Sequence, residues 1–115
     1  MRTDEVDESL RLHGDRYLKR VFTDAEQHDA GGDLGRLGEI FAAKEATLKA
    51  LRRADEAVAW RSIELRRSAN GSPMLKLSGA AADLAKQKGV SDLSVSLSHE
   101  GSLATAVVLA RCQSK

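Results

Sequence analysis

Apolar residues recur at intervals of three and four along the first half of the chain and at intervals of two along much of the second. Val6 and Leu10, one helical turn apart, predict a short helix over residues 5–13, ended at Gly14 by a glycine cap. Asp15 then caps a second helical stretch, Arg16 to Phe22, whose apolar face is Tyr17, Leu18, Val21 and Phe22. Thr23-Asp-Ala-Glu26 has the spacing of a capping box, so another helix begins at Asp24. Gly31-Gly32-Asp33 interrupts it, and Asp33 is placed to cap the longest helix, which runs to Leu51 with Leu34, Leu37, Phe41 and Leu48 on one stripe.

Arg52-Arg53-Ala54-Asp55-Glu56 has no apolar period and reads as a polar connection. Residues 60–67 alternate, with Ile63 and Leu65 on one face of a strand; Ser68 to Pro73 turns the chain, and Leu75 and Leu77 continue the alternation on a partner strand. Gly79 to Lys88 is an alanine-rich helix stopped by Gly89. Leu93, Val95 and Leu97 alternate with serines, Glu100-Gly-Ser102 turns, and Leu103 to Ala110 forms a final, nearly continuous apolar strand. The order predicts an α+β domain with a mostly antiparallel sheet packed against helices. The last strand calls for cover on both faces, helices on one side and a neighbouring subunit as the candidate on the other.

At 115 residues the chain fits a single domain. A net charge of +1 and 3% aromatic residues argue against nucleic acid as a partner, even with Arg52, Arg53, Arg66 and Arg67 present. The lone Cys112 excludes an internal disulfide or a cysteine-built metal site. No apolar run is long enough for a membrane span and the charged N-terminus lacks a signal-peptide core, so a cytoplasmic location is expected.

Within the longest helix, Glu45 falls about 40° around the axis from Phe41, at the edge of the apolar stripe, with Lys49 one turn on. Two readings stand side by side: a solvated Glu-to-Lys pair worth a few tenths of a kcal/mol, or a carboxylate and an ammonium aimed at a ligand.

Four segments resemble the holo-acyl carrier protein synthases, the small, single-domain type of 4'-phosphopantetheinyl transferase. They are Arg20-Val-Phe-Thr-Asp-Ala-Glu26, Phe41-Ala-Ala-Lys-Glu-Ala46 with Lys49-Ala-Leu51, Asn70-Gly-Ser-Pro73, and Val95-Ser-Leu-Ser-His99, in the family's order. The resemblance implies transfer of phosphopantetheine from coenzyme A to a serine of an acyl carrier protein, with Mg²⁺ as cofactor. It places Glu45 and Asp4 among the metal ligands and Glu45 and Lys49 at the reacting phosphates. Lys44, Asn70, Gly71, Pro73, Ser98 and His99 fall at the coenzyme A site. Arg16 and Arg20, with Lys19 and Arg11 nearby, fall where the family docks its acidic carrier protein, and the family's homotrimer has active sites between subunits. On pattern alone His99 reads equally as a hydrogen-bonded histidine at a strand end, and the Asn-Gly turn needs no ligand to explain it.

The chain also departs from the family's pattern. Thr3-Asp4-x-Val6-Asp7 is the expected remnant of an opening strand, but an alignment through Gly14-Asp-Arg16 puts Asp4 on the first helix and leaves that strand missing or truncated. Ile40 stands where the family has arginine, with Arg36 one turn earlier on a similar face. Arg52-Arg53-Ala54 replaces Gly-Thr-Gly, and Ser72 replaces a lysine. Each change removes a phosphate charge or a close backbone approach. The rival expectation, from a different class, is a descendant that has lost catalysis and serves as a carrier-protein-binding or structural module.

Overall fold

A computed structural model describes residues 3–51 and 59–112, leaving aside the side chains of Thr3 and Asp4. The expected polar connection over residues 52–56 lies outside the described residues, as do Arg52 and Arg53. The helices are α1 (Thr3–His13), α2 (Asp15–Val21), α3 (Asp24–Ala30), α4 (Leu34–Leu51) and α5 (Gly79–Gln87), and the strands are β1 (Ile63–Arg67), β2 (Pro73–Leu77), β3 (Val90–Glu100) and β4 (Leu103–Cys112). β1 pairs with β2 and β3 with β4, both antiparallel, as two separate two-stranded sheets. Among the described residues no helix is long and apolar enough to cross a membrane.

Local chemistry accounts for most boundaries. Between α1 and α2, Gly14 donates its N–H to the Leu10 carbonyl at 2.8 Å with φ of 54°, a left-handed turn that suits glycine. Gly14, not Asp15, occupies the N-cap of α2, and Asp15 becomes the first helical residue. The Thr23–Glu26 capping box closes at both ends, and Asp33 Oδ1 accepts from the N–H groups of Gly35 (2.9 Å) and Arg36 (3.3 Å) to cap α4. The first hairpin strand begins at Ile63 and not at residue 60, because Trp60–Ser62 forms a single 3-10 turn in which Ser62 Oγ and N–H both bond the Ala59 carbonyl. β3 starts three residues before Leu93, with an irregularity between Val90 and Asp92.

The helix α4 is the axis of the molecule. Leu37, Ile40 and Ala43 join Val6, Val21, Phe22 and Leu65 in the main core; further along, Leu48 packs with Ile63 and Ala81, and Leu51 with Leu84 and Ala85. Phe22 is fully buried edge-on to Tyr17 and Phe41, with ring centroids 5.8 and 6.5 Å apart. Because β4 and α1 pack on α4 together with β1, α3 and α5, the helix buries far more than the single stripe its sequence suggests.

One consequence of that enclosure is a buried ion pair. Glu26 and Lys44 are both 0% exposed, with Nζ 2.6 Å from Glu26 Oε1. Oε1 also accepts from the Thr23 N–H (2.9 Å), and Oε2 from the Leu65 N–H (2.8 Å). Lys44 Nζ donates in addition to the Ile63 carbonyl. Burial pulls the Lys44 pKa below the ordinary lysine value and the Glu26 carboxylate opposes that pull. The pair ties α3, α4 and β1 to one another, and the ammonium and both carboxylate oxygens each have internal partners, which is the condition for carrying buried charge.

The sheet β3–β4 has two different faces. Leu93, Val95 and Leu97, with Ala104 and Ala106, turn toward α4, whereas Ser94, Ser96 and Ser98 lie opposite Leu109, Val107 and Thr105 on the other side. There Leu103, Val107 and Leu109 are 50%, 54% and 67% exposed in the single chain.

Removing Lys44 alone, as Lys44→Met, leaves the Glu26 charge inside without its counter-ion and is expected to cost about 3–5 kcal/mol in chemical denaturation. Adding Glu26→Gln to that variant removes the stranded charge and should recover part of the loss. A cost under about 1 kcal/mol for Lys44→Met would show that water reaches the pair.

Candidate functional site

Two groups of polar side chains project from α4 in different directions. Helical geometry places Glu45 about 9 Å along the axis from Glu39 and about 120° around it. The two groups therefore cannot converge within one protomer.

The first group is Glu45 and Lys49. Glu45 is half-buried, Lys49 exposed, and neither has a hydrogen bond or ion pair among the described residues. The helical Glu-to-Lys pair that spacing allows is thus not formed. Asp4, which the resemblance puts among the metal ligands, lies in the first turn of α1, where the alignment through Gly14-Asp-Arg16 places it, and not on an opening strand. The period of Val6 and Leu10 makes this stretch helical, and Val6 anchors it in the core with Leu37 and Ile40. Among the described residues no strand precedes α1 and no cluster of three His, Cys, Asp or Glu side chains is set to hold a metal. A single open carboxylate still fits Mg²⁺, which keeps most of its waters and binds through one or two carboxylates plus the phosphates of a substrate.

Lys44, the neighbour of Glu45, corrects a sequence expectation. Its ammonium is inside the protein, committed to Glu26 and the Ile63 carbonyl, and so is turned away from any cofactor. Its aliphatic stem at a helix position next to Glu45 gave no local sign of this.

The second group surrounds a cavity of about 340 Å³ lined by Arg36, Glu39, Arg67, Pro73, Val95, Ser96 and Leu97. It lies where the two hairpins face each other across β2 and β3. Arg36, with a side chain 10% exposed, donates from Nε to Asp29 Oδ2 at 2.8 Å, sets Nη2 2.7 Å from the same oxygen, and donates from Nη1 to Glu39 Oε2 at 3.2 Å. Arg67 Nε lies 3.6 Å from Asp29 Oδ1, and its Nη1 donates to the Gly71 carbonyl at 3.0 Å. Glu39 Oε1 lies 3.7 Å from Nδ1 of His99. A chain of alternating charge thus runs from the Asn-Gly turn through α3 and α4 to His99.

Of the residues expected at coenzyme A, Gly71, Pro73 and His99 meet this chain or its cavity. Gly71 has φ of 85°, the left-handed conformation the turn requires. Asn70 Oδ1 accepts from the Ser72 N–H at 3.1 Å and from Ser68 Oγ, which is work for the turn itself. Ser98 is exposed on the opposite face of β3 from His99, as neighbouring strand residues must be. The position of the family arginine, Ile40, is sealed in the core, and the cation nearest the cavity on α4 is Arg36. Asp29 and Glu39 were not singled out by sequence, and Arg67 was weighed only as a nucleic-acid contact, since an acidic helix end, a helix-surface glutamate and a strand-end arginine look like solvated charges until the hairpins fold over them.

A third surface lies on α2. Arg16 and Arg20 are exposed, have no carboxylate partner among the described residues, and with His13 and Tyr17 line a cavity of about 210 Å³. The Tyr17 hydroxyl is buried without a hydrogen-bond partner among the described residues, and its pKa is pushed up to about 12, first by burial and then by the Glu5 charge. Arg11 is drawn toward Asp7 at 3.8 Å, and Lys19 points to solvent outside that cavity.

Comparison with known proteins agrees with this architecture. Residues 1–108 match the family model of the 4'-phosphopantetheinyl transferase superfamily. The holo-acyl-carrier-protein synthase of Herpetosiphon aurantiacus is 38% identical over 113 residues, covering 92% of this chain and 89% of that protein. The crystal structure of the Neisseria meningitidis holo-acyl-carrier-protein synthase superposes with a TM-score of 0.86 at 27% identity, over 96% of this chain and 92% of that one. The coenzyme A complex of the Chronobacterium ammoniagenes enzyme gives 0.81 at 29% identity, over 99% and 93%. The chain belongs to the 4'-phosphopantetheinyl transferase superfamily, as an enzyme of the holo-acyl-carrier-protein synthase type.

Proposed function

We propose that this chain transfers 4'-phosphopantetheine from coenzyme A to a serine of an acyl carrier protein, with Mg²⁺, in a homotrimer whose active sites lie between protomers. The observation that carries the reading is Glu45: a half-buried carboxylate without a partner among the described residues, beside a Lys49 that likewise has none there, on a helix held in place by the buried pair one residue away. A charge left uncommitted on so fixed a scaffold is preorganised for a ligand.

In this reading the carrier serine hydroxyl attacks the phosphorus that bears the pantetheine. The bond from that phosphorus to the bridging oxygen breaks, and adenosine 3',5'-bisphosphate leaves with the electron pair. Mg²⁺, when bound, neutralises charge growing on the pyrophosphate oxygens. Glu45 would hold the ion, and Lys49 would add a positive charge at the pyrophosphate. The serine proton passes to an ordered water or carboxylate at the site. Arg16 and Arg20 offer an acidic carrier two exposed cations one turn apart, without carboxylate partners among the described residues. His99, Gly71 and Pro73 are assigned to coenzyme A, the histidine being supplied by the neighbouring protomer, since the faces of α4 keep it from the Glu45 of its own chain. The exposed Leu103, Val107 and Leu109 give the trimer its apolar contact.

The test is incubation with an apo acyl carrier protein, coenzyme A and Mg²⁺, followed by mass measurement. A gain of one phosphopantetheine is expected, with Glu45→Ala slowing it at least ~100-fold and Lys49→Ala about 10–100-fold. No gain with the wild type, together with no binding of coenzyme A, would favour the non-catalytic module.

For assembly, Val107→Asp combined with Leu109→Asp should convert the trimer to monomer in sedimentation while each chain stays folded. Transfer should fall with it. A monomeric wild type that is fully active would remove the inter-protomer site from the scheme.

A further inference from the structure

His99 does not merely reach the end of its strand; it rests on a seat made for it. The imidazole lies against Gly35 so closely that a methyl group there would stand 2.6 Å from Cε1 and 3.2 Å from Nδ1. On this side of the ring the charged groups are Glu39, with Oε1 3.7 Å from Nδ1, Arg36, which holds the other Glu39 oxygen at 3.2 Å, and Asp33, whose Oδ1 is occupied by the N–H groups capping α4. Opposite on β4 stands Ala104, which carries no charge, and the strand neighbours Ser98 and Glu100 belong to the other face. Glu39 is therefore the carboxylate placed to accept a proton from the ring, and it can accept only at Nδ1. Arg36, itself tied to Asp29 at 2.7 Å, keeps that carboxylate from swinging away.

We propose that Glu39 is a positioning residue for His99. It holds the neutral ring with its proton on Nδ1 and so leaves the Nε2 lone pair free, while Gly35 supplies the space in which the ring's Cε1–Nδ1 edge approaches α4. His99 has no hydrogen-bond partner among the described residues, so Nε2 is available to a group brought to the site. The separation of 3.7 Å is longer than a formed hydrogen bond, as is common for such pairs before a ligand closes the site. A carboxylate that fixes tautomer and ring plane through the far nitrogen is a recurrent device for orienting a functional histidine. The inference rests on the proposed function for what Nε2 meets, but the tautomer itself is a property of the free protein.

Nitrogen-15 NMR of the imidazole in the free, folded protein tests it. The wild type is expected to show the neutral ring mainly protonated at Nδ1, and Glu39→Ala to shift it toward the Nε2-protonated form that free histidine favours. In the transfer assay Glu39→Ala should raise the KM for coenzyme A about ten-fold with kcat changed much less, and should add nothing in a His99→Ala background. Glu39→Gln, which keeps an acceptor oxygen for the ring and for Arg36, should restore most of the KM, and Gly35→Ala should reproduce the loss by displacing the ring. An unchanged tautomer in folded Glu39→Ala overturns the proposal; so does a shifted tautomer with an unchanged KM. A wild type that transfers nothing from coenzyme A refutes the function it rests on, and the tautomer alone then decides the Glu39 contact.

Discussion

The interaction on which the rest of the structure depends is the closed pair of Glu26 and Lys44. Each would be prohibitive to bury by itself. Together they neutralise each other and also satisfy the Thr23 and Leu65 N–H groups and the Ile63 carbonyl. The geometry is unforgiving, because a small rotation of α4 would strand both charges. That is a stronger constraint on the helix's rotation than apolar packing, which tolerates substitution among hydrophobic side chains of similar volume. A buried pair does not have to stabilise the fold to serve in this way; it penalises every arrangement in which α3, α4 and β1 are mispositioned.

Glu45 gains its significance from that constraint. It follows Lys44 in the chain, so fixing the lysine's direction fixes the direction of the carboxylate about 100° around the helix. The same helix carries Glu39 on another face, where Asp33, Arg36 and the Gly35 surface organise the approach to His99. One rigid rod thus presents two sets of chemical groups that cannot meet within one chain. In the proposed trimer, the outer face of β4, apolar at Leu103, Val107 and Leu109, is the surface through which copies would bring the two sets together.

Much of the fold was legible because its elements are simple periodic objects. The capping box at Thr23, the cap at Asp33, the Asn70-Gly71 turn and the alternation through Leu93, Val95 and Leu97 are each local, and each appears as its residues predict. Long-range pairings were not legible. Glu26 looks fully explained by its capping box, and nothing within four residues reveals that Lys44 will cover its other side. Lys44 was accordingly assigned, by resemblance, to the coenzyme A site. Asp4, assigned by resemblance to the metal, lies on the first helix, where Val6 and Leu10 and the alignment through Gly14-Asp-Arg16 put it. Ser98 and His99 are adjacent in sequence and were assigned together, though a strand sends them to opposite faces. The carboxylate beside His99 escaped notice because a glutamate on a helix surface gives no signal until a distant hairpin lies over it.

The most direct measurement is crystallography of the assembled protein with coenzyme A and Mn²⁺ in place of Mg²⁺, locating the ion by its anomalous scattering. The account predicts a single strong peak about 2 Å from a Glu45 carboxylate oxygen and in contact with the cofactor's pyrophosphate, in a cleft between protomers. An ion bound elsewhere, with Glu45 turned into bulk water, would contradict it.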